Sequence, residues 1–233
     1  MIETCRKIVE DSVNLFQNVL ANEALLKKTD EAIEAIIGCI KGGGKILICG
    51  NGGSAADAQH FAAELVGSFI IKDRKGLPAI ALTSDSAVLT SLCNDTSVEQ
   101  VFARQVEALG KAGDLIVGIT TSGKSKNVIN ALSIAKSAGL KTICLTGLLP
   151  ENAEIKQYSD IVMDVPSSST PRIQEVHGLL IHVICEVVES TIAVKKKPID
   201  FFSLKGCFSG GSMPDDEEEL LTPEMGRRIM ERE

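Results

Sequence analysis

The chain has 233 residues, enough for one well-buried domain with an appendage and short for two full domains. Aromatic residues make up 3% with no Trp, and the net charge is -7, which excludes a base-stacking or phosphate-backbone surface for nucleic acid as its main business. The seven cysteines are scattered, odd in number and without a Cys-x-x-Cys pair, so a disulfide framework or cysteine zinc site is excluded and reduced cytoplasmic thiols are expected.

In chain order, the start (Met1 to Lys7) lacks the apolar core of a signal peptide, and no apolar run approaches the roughly 20 residues of a membrane span. Ile8, Val13, Phe16 and Leu20 recur at helical spacing, as do Ile33, Ile36, Ile37 and Ile40. Two helices are therefore expected in the first forty residues, the second capped near Thr29-Asp30 and ended by Gly42-Gly43-Gly44. Short β-branched runs without alternation follow at Lys45–Cys49, Ala79–Leu82, Leu115–Ile119, Thr142–Leu145 and Ile161–Val165, the pattern of strands covered on both faces. Helices are expected from near Ser54, through Val98 to Leu109, from Ser125 to Ala138 with Gly139 as its stop, and from Thr170 to about Val194.

This alternation predicts an α/β fold: a five-stranded parallel sheet flanked by helices in three layers, with ligands beyond the carboxyl ends of the strands. Residues 1–198 read as one domain and 199–233 as an acidic extension, linker-like at Phe208–Ser212 and then charged at Asp215–Glu219. From Lys205 onward there are 8 acidic and 4 basic residues, so this segment carries much of the net negative charge. A solvated extension is the expectation there, a docking segment the alternative.

Two strand-end loops carry the chemistry. Cys49-Gly50-Asn51-Gly52-Gly53-Ser54 opens directly into a helix, without a Walker lysine or a dinucleotide fingerprint. Thr120-Thr121-Ser122-Gly123-Lys124-Ser125 puts four hydroxyls and a glycine at another helix start. Hydroxyls and backbone amides at helix starts suit a phosphate, although a simple hydroxyl cap at Ser122 or Ser125 would explain part of the second loop. His60 and Glu64, four apart, share one helix face; Gln174 and His182, eight apart, share another. Such a set suits either a divalent metal or acid–base work on a carbonyl sugar, although a His-x-x-x-Glu pair by itself is more often surface or capping detail, and the residues alone leave all three open. His177 reads as structural or as support for the set.

Three stretches then resemble the phosphoheptose isomerases of the SIS family: Cys49 to Leu65, Thr120 to Ser125, and Thr170 to His182. Cys93-Asn94-Asp95 matches that family's Asn-Asp element, and the likeness runs over roughly residues 1 to 195. The resemblance implies a flavodoxin-like SIS fold and a homotetramer with active sites between subunits. It implies conversion of sedoheptulose 7-phosphate to D-glycero-D-manno-heptose 7-phosphate through an enediolate, the first step of nucleotide-heptose and lipopolysaccharide synthesis. Asn51, Gly52, Gly53, Ser54, Asn94, Asp95, Thr120, Thr121, Ser122, Ser125 and Gln174 would bind substrate. One zinc ion per site would be held by His60, Glu64, Gln174 and His182, with Glu64 and His182 as the catalytic pair. Lys124 replaces a common Asn, and nothing is carried over at Pro171. The fold also serves a non-catalytic adaptor for the replication initiator and sugar-phosphate sensors; Glu64 and His182 favour the enzyme.

Overall fold

In the computed structural model, residues 1–193 are described, and the acidic extension with its linker and charged run lies outside them. The five apolar runs form β1 (Ile46–Gly50), β2 (Ala79–Ala81), β3 (Leu115–Thr120), β4 (Lys141–Thr146) and β5 (Ile161–Asp164). They make one sheet in the order β2-β1-β3-β4-β5, every neighbouring pair parallel. Each of the two central strands, β1 and β3, is buried along its whole length.

The side-chain alternation of the strands divides the interior into two cores. Ile46, Ile48, Leu115, Val117, Ile119, Ile143 and Leu145 face one side, where they meet the helices α1 (Ile2–Leu20), α2 (Glu23–Lys41), α3 (Gly53–Val66) and α8 (Thr170–Ile192). Leu47, Cys49, Ile116 and Cys144 face the other, under α5 (Ala103–Leu109) and α6 (Lys126–Ser137). The three layers expected from the sequence are the consequence.

Two local expectations are corrected, and two short helices are added. The second helix begins at Glu23, with Asn22 as its cap accepting from the Leu25 N–H; Thr29 lies inside it, its hydroxyl donating to the Leu25 carbonyl. The expected helix from Val98 to Leu109 is a short 3-10 turn, Val98–Gln100, followed by α5. Val101, Phe102 and Ala103 are all buried, and a single helical face cannot bury three consecutive side chains, so the chain changes phase there. A helix absent from the sequence reading, α4 (Ser86–Asp95), fully buries none of its residues; only Leu89 and Leu92 pack, half-buried, against the second core, a stripe too short to read beside the Asp85 cap, which accepts from the Val88 N–H. A single helical turn, α7 (Ile155–Tyr158), was likewise too short to show.

The strand order also fixes the place of a ligand. From β1 the chain goes to β2 at one edge, then returns past β1 to β3 on its other side. The loops leaving β1 and β3 therefore part from each other at the carboxyl end of the sheet, the crevice where such sheets take their ligands.

His177, in α8, is fully buried, and neither ring nitrogen has a hydrogen-bond partner among the described residues. Burial holds its pKa down at about 4, with the Thr146 backbone offsetting only part of that. The neutral ring is thus favoured in the folded state, whereas the unfolded chain takes up a proton near pH 6.5. Stability is expected to be full above pH 6.5 and to decline as pH falls toward 4, by about 3 kcal/mol in all. Urea unfolding followed across this window checks it: His177→Leu should flatten that part of the profile, and an unchanged slope would count against the assignment.

Candidate active site

The loop after β1 turns at Gly52 and enters α3 at Gly53. Gly53 lets the Gln174 amide of α8 lie close over the loop: a Cβ there would stand 2.4 Å from the amide nitrogen and would push that side chain aside. Asn51 is locked to Asn127 of α6 by a reciprocal pair of amide hydrogen bonds, each 2.9 Å, so the two loops at the switch point are tied side chain to side chain. Ser54 is buried just inside α3.

The loop after β3 begins at buried Thr120, whose hydroxyl meets that of Ser125 at 3.0 Å. Ser125 occupies the cap position of α6 without a side-chain capping bond, so the hydroxyl cap allowed for at this residue is not what the side chain does. Ser122 accepts from the Lys124 N–H at 3.2 Å and is otherwise exposed. Gly123 has φ 65, which an L side chain adopts only with strain, and a Cβ there would meet Leu149 at 2.3 Å. Between the loops lies a cleft of about 250 Å³ lined by Asn51, Ser125, Lys126 and Asn127, together with Val98 and Glu99. Two amides, a hydroxyl and a lysine suit a phosphate, and the Glu99 carboxylate in the same lining opposes it.

Farther along α3, His60 and Glu64 approach at 3.2 Å, and the His182 Nε2 of α8 lies 3.3 Å from that of His60. The two imidazoles meet edge to face, centroids 4.9 Å apart, and Phe69 stacks on His182 at 5.3 Å. Both imidazoles reach solvent, and Glu64 is half-buried. Two donors about 2.0–2.1 Å from a tetrahedral ion stand about 3.3 Å apart, so these two approaches fit either a hydrogen-bonded series or a pair of metal ligands. Nitrogen and carboxylate donors of this kind suit zinc. The three form a series of pairwise approaches; among the described residues, no group of three His, Cys, Asp or Glu already surrounds one point.

Gln174 stands apart. Eight residues of helix put it about 12 Å along α8 from His182, and its amide lies over Gly53, so within one chain it serves the glycine loop rather than the histidine cluster. Asn94 and Asp95 lie exposed in the last turn of α4, hydrogen-bonded to each other at 2.7 Å and to none of the other expected site residues. Thr121 contributes its carbonyl, which accepts from the Gly147 N–H.

The sequence reading missed three contributors. Asn127 is one; its signal was an amide at a helix start facing the glycine loop. Asp57 is another: one turn before His60, it has a buried carboxylate oxygen without a partner, and burial raises its pKa against the opposing influence of His60. Phe69, on His182, lies in a loop with no regular spacing to mark it.

The SIS domain family model matches residues 9–147. The chain is 50% identical over 173 residues to the phosphoheptose isomerase of Helicobacter pylori (strain P12), covering 74% of this chain and 88% of that protein. It is 44% identical over 188 residues to that of Clostridium acetobutylicum, covering 81% and 94%. The solved structure of phosphoheptose isomerase GmhA from Neisseria gonorrhoeae is similar with a TM-score of 0.74 at 42% identity, covering 81% of this chain and 98% of that one.

Proposed function

The chain belongs to the phosphoheptose isomerases of the SIS-domain family, and from that premise we propose that Glu64 and His182 isomerise sedoheptulose 7-phosphate in the crevice above β1 and β3. The observation that carries this reading is the meeting of His60, Glu64 and His182 from two helices, one of which, α3, opens at the glycine loop. Identity to isomerases over most of their length sets aside the adaptor and sensor alternatives.

In the mechanism, the Asn51–Asn127 pair and the Thr120, Ser122 and Ser125 hydroxyls hold the phosphate end. The open sugar chain then extends toward the α3–α8 cluster. Glu64 takes the proton from the carbon beside the carbonyl and returns it to the neighbouring carbon. His182 moves protons between the two oxygens, which includes opening the cyclic form. One ion held by His60, Glu64 and His182 would stabilise the negative charge on the enediolate oxygens. Zinc is the ion we propose, one per site. Lys124, exposed beside Ser122, adds positive charge near the phosphate. Asn94 and Asp95 are left to the sugar hydroxyls.

Assembly belongs to the same reading. Ile8, Val9, Val13, Phe16 and Leu20 of α1 are exposed, as are Leu179, Val183 and Val187 at four-residue spacing on α8. Apolar stripes of this kind mark contact surfaces, and the α8 stripe adjoins His182, which supports a homotetramer with sites at its interfaces. No helix of the described residues is long and apolar enough to cross a membrane. We place the enzyme in the cytoplasm, which the free thiols among the described residues support.

The test is proton NMR of the purified protein with sedoheptulose 7-phosphate, with zinc or with a strong chelator. Conversion to the aldoheptose phosphate, lost on chelation and regained with zinc, is the expected result. Conversion that survives exhaustive chelation would remove the metal and leave the isomerase. No conversion by a protein that binds the sugar phosphate would overturn the catalytic reading.

A further inference from the structure

The segment after α3 is held by two buried charges. Arg74 and Glu189 have side chains 1% and 2% exposed and form an ion pair at 2.5 Å. Glu189 also accepts the backbone N–H groups of Phe69, Ile70 and Ile71 at 3.0, 2.7 and 3.0 Å. Arg74 donates to the carbonyls of Leu65, Lys75 and Glu64. The last of these is the backbone of the proposed base, and Glu189 lies two helical turns beyond His182 on α8. One carboxylate and one guanidinium thus fix three things together: the end of α3 that carries Glu64, the later part of α8, and the loop bearing Phe69.

That loop delivers an aromatic face to the site. The Phe69 ring stacks on His182, planes inclined by 28°, while His60 meets the same imidazole edge-on at 83°. His182 is otherwise exposed on α8, and its one hydrogen-bonding neighbour among the described residues is His60. An exposed imidazole has free rotamers; a stacked aromatic removes most of them. A proton-transfer group loses rate steeply when its ring is misplaced.

We infer that Phe69 is a positioning residue: held by the Arg74–Glu189 clasp, its ring fixes the plane of His182 relative to Glu64. This rests on His182 being the group that moves the oxygen-bound proton. The residue acts through His182 and need not touch the sugar.

The experiment uses the full chain and compares Phe69→Leu with Phe69→Tyr. Phe69→Leu keeps apolar bulk but not the stack; kcat should fall about 10- to 100-fold with KM changed less than about twofold, and Phe69→Tyr should restore most of the rate. With only three histidines in the chain, the His182 ring-proton resonance can be followed directly, and it should move in the Leu variant as the ring current is lost. A Leu variant with unchanged kcat, or a Tyr variant no better than Leu, overturns the positioning role even where the resonance moves. An unmoved resonance overturns the stack itself. His182→Gln separates the two layers: full activity in that variant would sink the catalytic reading on which this one rests, whatever Phe69 does.

Discussion

Glu64→Gln is expected to leave a folded protein whose turnover of sedoheptulose 7-phosphate is lower by about 10²- to 10⁴-fold, the range that a positioned general base contributes. The substitution keeps the shape of the side chain and can keep the 3.2 Å contact to His60 through the amide. What it removes is the ability to accept a carbon-bound proton. Substrate affinity should change little, because the phosphate-holding groups lie at the β1 and β3 loops. The diagnostic measurement is exchange in heavy water. The parent should introduce deuterium at the carbon next to the carbonyl, while the variant should bind the sugar phosphate with almost unaltered affinity and introduce none. Substantial residual exchange would move the base elsewhere, and half-buried Asp57, on the same face of α3, would be the next candidate.

The second large effect concerns stability. Glu189→Ala would strand the Arg74 guanidinium in a site where the side chain is 1% exposed and would orphan three backbone N–H groups. Removing one partner of a buried pair costs about 3–5 kcal/mol, which in a domain of this size corresponds to a drop of about 10 °C in Tm. Thermal unfolding measured at neutral pH checks this, and a fall of only a degree or two would show that the clasp is dispensable. Burial alone would raise the Glu189 pKa, but the three N–H donors and Arg74 outweigh it and bring the group down to about 2. The carboxylate is therefore more acidic in the folded state than in the unfolded chain. Its stabilisation is complete above about pH 4.5 and is lost as pH falls toward 2. This window lies below that of His177, so acid weakens the fold in two steps, first because only the unfolded chain can protonate His177 and then because Glu189 is discharged.

Much of the fold was legible because its strands are buried on both faces. Ile46–Gly50 and Leu115–Thr120 read as strands from composition alone, since no solvent-facing residue interrupts them. The helices that carry apolar stripes, α1, α2, α6 and α8, were readable for the same reason. What escaped was structure made by other means. α4 packs only the half-buried Leu89 and Leu92 against the core, and the break before α5 comes from three consecutive buried residues that no single period describes. In the site, His60 and His182 stood out as two of only three histidines, with Glu64 at helical spacing from the first. Their meeting depended on α3 and α8 running side by side, which no local pattern encodes. Gln174 shows the limit most clearly: spacing puts it on the face of His182, while packing turns its amide to Gly53. Phe69 reaches the site only because Glu189, 120 residues later, gathers its loop.

The reciprocal pair between Asn51 and Asn127 has a chemical consequence. Each amide gives its N–H to the other's oxygen, so the arrangement depends on both side chains remaining amides. Hydrolysis of either one to a carboxylate would set acceptor against acceptor and place a negative charge in the cleft assigned to the phosphate. Neither residue contributes to the apolar cores, so such a lesion would spare the folded scaffold. Spontaneous deamidation would thus act on this enzyme as a slow, silent inactivation, separating the age of the site from the age of the protein.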